Sequence, residues 1–242
     1  MNKINKVTKF SLFFLVIVFF LTNCNHSLFG IKGSGETVKK ILNLETINKI
    51  ELAIDADVEI IKGDTQKIEI EGQQNIIDNI KTNVQSGKWL IEFDKKVSNH
   101  SKLIVYITLP DIEEIVLSGS GDIYSEDTFD VNNLTLKIPG SGDIDLLFNS
   151  ENADISISGS GDIYSEGGTI NQTISISGSG SYSAFRFFSN KSEIEISGSG
   201  DCKVNAQDNL FVTLSGSGNV YYKGNPSVNS VITGSGKVIN SN

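Results

Sequence analysis

The sequence is poor in the side chains that most chemistry needs. Its 242 residues include one arginine (Arg186), two histidines, two cysteines, one tryptophan and three prolines. A single guanidinium leaves bidentate clamps for phosphate or carboxylate nearly out of reach. His26 and His100 lie far apart, and neither builds a metal site or a Ser/His/Asp arrangement by spacing. Positive charge is scarce as well. Twenty Lys and Arg against 29 acids give a net charge of −9, which argues against nucleic acid as a partner, because phosphate binding needs a basic face. Charged residues make up only 20% and hydrophobic ones 38%, a balance that argues against bulk disorder. The only long apolar run, Ser11–Leu21, is too short for an ordinary membrane-spanning helix. Most enzyme classes are thereby excluded, and no catalytic residue, cofactor or metal is expected.

Glycine is plentiful and ordered. Sixteen of the 23 glycines fall in eight Gly-Ser-Gly triplets. From Gly119 the triplets recur at spacings of 21, 19, 19, 20, 18 and 18 residues. Repeats of this length mark stacked architectures. Before the triplets, segments such as Leu134–Ile138, Ile155–Ile157, Ile174–Ile176 and Ile194–Ile196 alternate apolar and polar residues, the period of a half-buried strand. A second short strand follows each triplet. About 19 residues per unit leave no room for a crossover helix. The pattern predicts an all-β solenoid that advances about 4.8 Å per rung. The expected corners are Gly119 and Gly121, Gly140 and Gly142, Gly159 and Gly161, Gly178 and Gly180, Gly198 and Gly200, Gly216 and Gly218. Two properties recommend glycine there: access to positive φ, and a missing Cβ that lets stacked corners approach. Ile50–Val58 aligns with Ile115–Ile123, so the N-terminal part reads as diverged rungs, and the solenoid is expected to span 49–242 without a domain boundary.

The first 23 residues read as an export signal, with Lys3, Lys6 and Lys9 ahead of the apolar run. Leu21-Thr22-Asn23-Cys24 resembles the lipobox of bacterial lipoproteins, departing from it at Asn23, where that pattern has Gly, Ala or Ser. The resemblance implies cleavage before Cys24, acylation there, and a lipidated tether over 24–48. A plain secretory signal is the alternative. Removing the signal leaves 17 basic and 29 acidic residues, so acyl chains rather than charge would hold the chain to a membrane.

The triplets with their following Asp-Ile or Asp-Val, together with Asp57–Asp64, Lys67–Gly72 and Ser86–Glu92, resemble the auto-transporter adhesin head GIN domain family over about residues 47–240. The resemblance implies a right-handed parallel β-helix-like fold in an exported bacterial protein, often lipid-anchored. It brings no catalytic residues.

Three slots of the repeat are candidate sites. The position after each triplet reads Asp122, Asp143, Asp162, Ser181, Asp201, Asn219 and Lys237. It is either a cation ladder or, the preferred reading since Ser181 and Lys237 interrupt it, a row of turn residues bonding to backbone. The next slot is aliphatic or aromatic, so Cys202 within it is read as a small hydrophobe. One residue further on, Tyr124, Tyr164 and Tyr221 should point outward as candidate ligand-facing residues, or else stack across rungs to stiffen the sheet. Phe185, Phe187 and Phe188 either cover the coil or mark a partner patch. The expected function is a non-enzymatic envelope lipoprotein, an adhesive or binding module at the outer membrane, cell surface or periplasmic face. Its partner would be an envelope glycan or protein. A self-assembling structural subunit and a polysaccharide-active β-helix enzyme are the alternatives.

Overall fold

The alternating segments become strands, and the strands stack in register. The computed structural model describes residues 30–242, so the signal segment and Cys24 lie outside the described residues. In chain order the elements are β1 (Ile31–Lys32), β2 (Thr37–Leu42), β3 (Lys49–Leu52), β4 (Asp57–Lys62), β5 (Lys67–Gln73), α1 (Gln74–Ile77), β6 (Val84–Gln85), β7 (Lys88–Ile91), β8 (Val97–Asn99), β9 (Ile104–Leu109) and β10 (Glu114–Leu117). They continue as β11 (Ile123–Asp130), β12 (Asn133–Ile138), β13 (Ile144–Ile157), β14 (Ile163–Ile176), β15 (Tyr182–Ile196), β16 (Cys202–Leu214), β17 (Val220–Lys223), β18 (Ser227–Ile232) and β19 (Val238–Asn240). The result is a β-solenoid of about seven turns, with rungs about 19 residues apart.

From Gly119 onward each rung turns at its triplet, and every rung runs along two faces, in two separate strands or, from β13 to β16, in one long strand that crosses from one face to the other. Register aligns the inward residues into continuous columns. On the first face the column runs Trp89, Ile50, Ile115, Leu136, Ile155, Ile174, Ile194, Val212. On the second it runs Val105, Val58, Ile123, Ile144, Ile163, Tyr182, Cys202, Val220. All of these side chains are buried. β-branched residues fit a pleated, stacked surface, and each large apolar side chain so buried contributes about 1.5–3 kcal/mol.

The corners need glycine for one of the two expected reasons only. Positive φ occurs at Gly35, Gly87, Gly167 and Gly224 and not at the corner glycines from Gly119 onward. Space is what they require. A Cβ on Gly119 would meet the Ile54 carbonyl oxygen at 2.5 Å, and from Gly140 to Gly236 each corner Cβ would crowd the carbonyl oxygen of the corner glycine one rung below. The triplet serine bonds to the rung below through its amide: Ser141 N–H donates to Gly119 O (3.1 Å) and Ser160 N–H to Gly140 O (3.0 Å).

The N-terminal part departs from a simple coil. β3 and β4 do form a rung, as Ile50–Val58 suggested. Chain order is not stack order, however: this rung lies between β7/β9 on one side and β10/β11 on the other. Beyond β9 the second face is finished by antiparallel strands, β5 on β9 and β2 on β5. Antiparallel strands need only short turns, so this end can be closed locally. β6 and β7 form a hairpin whose turn residues Ser86 and Gly87 both have positive φ, 52° and 74°. Residues 31–42, expected in the tether, belong to the body. β1 pairs with β8, and Val38 and Leu42 of β2 pack on the core.

Candidate functional site

The outward residues of the second face form the site. Strand alternation puts Glu59 outside between inward Val58 and Ile60, and Tyr106 outside between Val105 and Ile107. Register then lines up Tyr106, Glu59, Tyr124, Asp145, Tyr164, Ser183, Lys203 and Tyr221. Tyrosine and carboxylate therefore alternate over the first five positions. Beside this column runs the post-triplet column of Asp122, Asp143 and Asp162.

Each tyrosine in the alternating part is tied to a carboxylate. Tyr106 donates its hydroxyl to Glu71 Oε2 (3.1 Å), Tyr124 to Glu59 Oε2 (3.3 Å) and Tyr164 to Asp162 Oδ2 (3.4 Å). Burial and then the neighbouring carboxylates raise all three phenol pKa values, so the hydroxyls stay protonated and keep donating at neutral pH. Tyr164 is the most open, at 40% exposure. Lys39 sits over the Tyr106 ring, 4.6 Å from its centroid, and pairs with Glu71 at 3.2 Å. Lys102 pairs with Asp57 at 3.1 Å. Among the described residues no ion pair reaches Glu59, Asp122, Asp143, Asp145 or Asp162. Burial and then Glu166 push the Asp145 pKa up, with Arg186 opposing them. A groove of about 320 Å³ flanks Tyr164, between Asp145, Phe185 and Arg186.

The post-triplet aspartates are a backbone ladder. Asp122 Oδ1 accepts the Asp143 amide (3.0 Å), Asp143 Oδ1 the Asp162 amide (2.8 Å) and Asp162 Oδ1 the Ser181 amide (2.6 Å). Ser181, Asp201 and Asn219 continue it upward. Ser181 and Asn219 keep the pattern because each still offers an acceptor oxygen, whereas Lys237, which offers none, ends it. No group of three or more His, Cys, Asp or Glu among the described residues could hold a metal ion. Cys202 is fully buried, and burial pushes its thiol pKa well up, which suppresses the reactive thiolate.

Tyr221 stands apart from the other two tyrosines. Its register neighbours are Lys203 and Ile239, and it lies three rungs beyond Tyr164, about 14 Å away. Tyr106, Glu59 and Asp145 are the residues sequence reasoning missed. Asp145 occupies the slot of Tyr124 and Tyr164 in the repeat, so aligning that slot in full would have found it. Of the three phenylalanines, Phe187 is core, stacked on Phe148 at 4.6 Å between ring centroids, while Phe188 is 54% exposed.

A larger groove on the first face, about 610 Å³, is bordered by Lys49, Glu51, Lys81, Lys88, Glu92 and Glu114. Its charges are spent on one another. Lys88 reaches Glu114 at 2.7 Å, Lys137 reaches Glu114 at 2.9 Å and Lys81 reaches Glu92 at 2.8 Å. Burial alone would raise the Glu114 pKa, but the two lysines overcome it and hold the carboxyl below its usual range. A depressed folded pKa stabilises above the unfolded glutamate value of about 4.3, and that stability is lost as pH falls through the folded value. Glu114→Gln should therefore lower the melting temperature at pH 7. The gap from the parent should close in a melting series carried below both values.

Over residues 46–226 the chain matches the family described as "Putative auto-transporter adhesin, head GIN domain". The chain belongs to this family. Solved structures resemble this GIN head-domain chain throughout the stack. A "putative adhesin" from Bacteroides fragilis is 25% identical with a TM-score of 0.84, covering 88% of this chain and 100% of its own. A "putative adhesin" from Parabacteroides merdae (24%, TM-score 0.71) covers 88% and 99%. A "putative lipid binding protein" from Parabacteroides distasonis (21%, TM-score 0.72) also covers 88% and 99%. The last two, below 25% identity, share the fold. No curated protein matches the chain.

Proposed function

We propose that this GIN head-domain chain is a non-enzymatic adhesive module of the bacterial cell envelope. In this reading the signal through residue 23 is removed and acyl chains on Cys24 hold the protein at the outer membrane or cell surface. The stiff stack then presents its second face to an envelope glycan or protein. The observation that carries the reading is the column Tyr106, Glu59, Tyr124, Asp145, Tyr164, a row of tethered rings and carboxylates on one side of a rigid body. Rings tied down at their hydroxyls lose little freedom on binding, which favours affinity.

Adhesion tests it. Cells displaying the full chain should be retained on bacterial envelope fractions, and Tyr124→Ala with Tyr164→Ala should abolish most of that retention. Equal retention would overturn the tyrosine face as the binding surface, and turnover of any envelope polysaccharide would overturn the non-enzymatic part.

One observation favours self-assembly as a second reading. β18 bonds to β16 along one edge, and its Val228, Val231 and Ile232 are 41%, 58% and 45% exposed. Open strand edges with apolar residues invite pairing. Light scattering on the chain from residue 25 decides it, a clean monomer counting against assembly.

A further inference from the structure

Resting on the adhesive reading above, we propose that the tyrosine and carboxylate face binds a lysine-bearing, extended protein segment. Its ammonium groups would seat over Tyr124 and Tyr164 as Lys39 of this chain seats over Tyr106.

One such seat is already filled. At Tyr106 three groups meet: the ring, the Glu71 carboxylate that takes its hydroxyl, and the Lys39 ammonium, 4.6 Å from the ring centroid and 3.2 Å from Glu71. A cation over a tyrosine ring is attracted by the ring quadrupole, and the carboxylate at the ring edge adds direct charge pairing. Lys39 arrives on β2, an extended segment.

The same arrangement recurs twice without its cation. Tyr124 with Glu59, and Tyr164 with Asp162, repeat the ring and the tethering carboxylate. Among the described residues no ion pair reaches Glu59 or Asp162, nor the adjacent Asp122, Asp143 and Asp145. These unneutralised carboxylates surround two half-exposed rings, so the face is complementary to positive charge and hostile to phosphate or anionic lipid. The two seats come from interior strands, so a visitor must lie across the face from outside.

Spacing selects the shape of the visitor. Tyr124 and Tyr164 stand two rungs apart, about 9.6 Å. In a polyproline II segment, side chains three residues apart share one side and are separated by about 9.3 Å. A Lys-x-x-Lys segment in that conformation meets both seats. A protein segment is favoured over a glycan here, because a neutral sugar leaves the carboxylates unpaired.

The test uses the full chain purified in neutral detergent and a fluorescent peptide of Lys-Pro-Pro repeats, followed by anisotropy. Binding is expected at low salt and should weaken as ionic strength rises. Acetylating the lysines should abolish it. Tyr124→Ala with Tyr164→Ala should weaken it about tenfold, with melting temperature reporting that the variant stays folded, while Tyr221→Ala should leave it unchanged. Absence of binding, equal binding of the acetylated peptide, or indifference to the double variant would each overturn the proposal. A double variant that loses adhesion to envelopes while the parent ignores the peptide overturns the cationic partner alone and leaves the adhesive face standing.

Discussion

Gly161→Ala is expected to destabilise the solenoid by about 4 kcal/mol or more, at the far end of what single substitutions do. The added methyl would be forced onto the carbonyl oxygen of Gly142 and crowd the Ser141 carbonyl carbon at 3.0 Å as well. Both obstacles are backbone, so no side chain can swing aside. Relief requires parting two rungs at a corner held by Ser160 N–H to Gly140 O (3.0 Å) and Asp162 N–H to Asp143 Oδ1 (2.8 Å). In a repeat stack a rung is held by its neighbours, so the break is not shared with the rest of the stack. Gly168→Ala is the control: its Cβ would meet Phe188 O at 3.2 Å, so relief asks a shift of only a few tenths of an ångström. Urea unfolding should show a large midpoint drop for Gly161→Ala and a small one for Gly168→Ala. Equal losses would mean that crowding between corners is not what glycine prevents.

That contrast also marks how far the fold is legible in the sequence. Triplet spacing and the Ile-Ser-Ile alternation were enough for the stacked strands, because each rung obeys a local period-2 rule and a fixed corner. The reason for the corner glycines was only half legible, since crowding depends on the rung below, which a single repeat does not contain. Cys202 was readable as core from its slot. The N-terminal rung order was not, because β3/β4 and β7/β9 are exchanged relative to the chain and no local pattern encodes that. Nor was the buried bonding of Gln172 to Ser189 (3.1 Å) and Ser192 (2.9 Å), since those residues look like turn polarity in the sequence. The candidate face was legible in part. Tyr124 and Tyr164 share a repeat slot, but Tyr106 and Glu59 come from triplet-free rungs and join the column only through register.

The two ends of the stack should respond differently to mutation, and Trp89→Ala is the variant that shows it. Trp89 is fully buried on β7, the strand that lies against β3 at the N-terminal end of the first face. Its indole N–H donates to the Lys81 carbonyl at 2.9 Å, tying the cap segment to the column that Trp89 begins. Truncation removes a large apolar volume and leaves that carbonyl without its donor, for an expected loss of about 3–5 kcal/mol. A repeat stack unravels from a weakened end. Hydrogen exchange should therefore quicken first in β7 and β3, while amides of Ile155–Ile196 remain protected. At the other end, Val231 is 58% exposed on β18, and Val231→Ala should change stability by no more than about 0.5 kcal/mol. If the two substitutions cost the same, the N-terminal segment is not a cap. Exposure of β18 would then say nothing about which end of the solenoid is open.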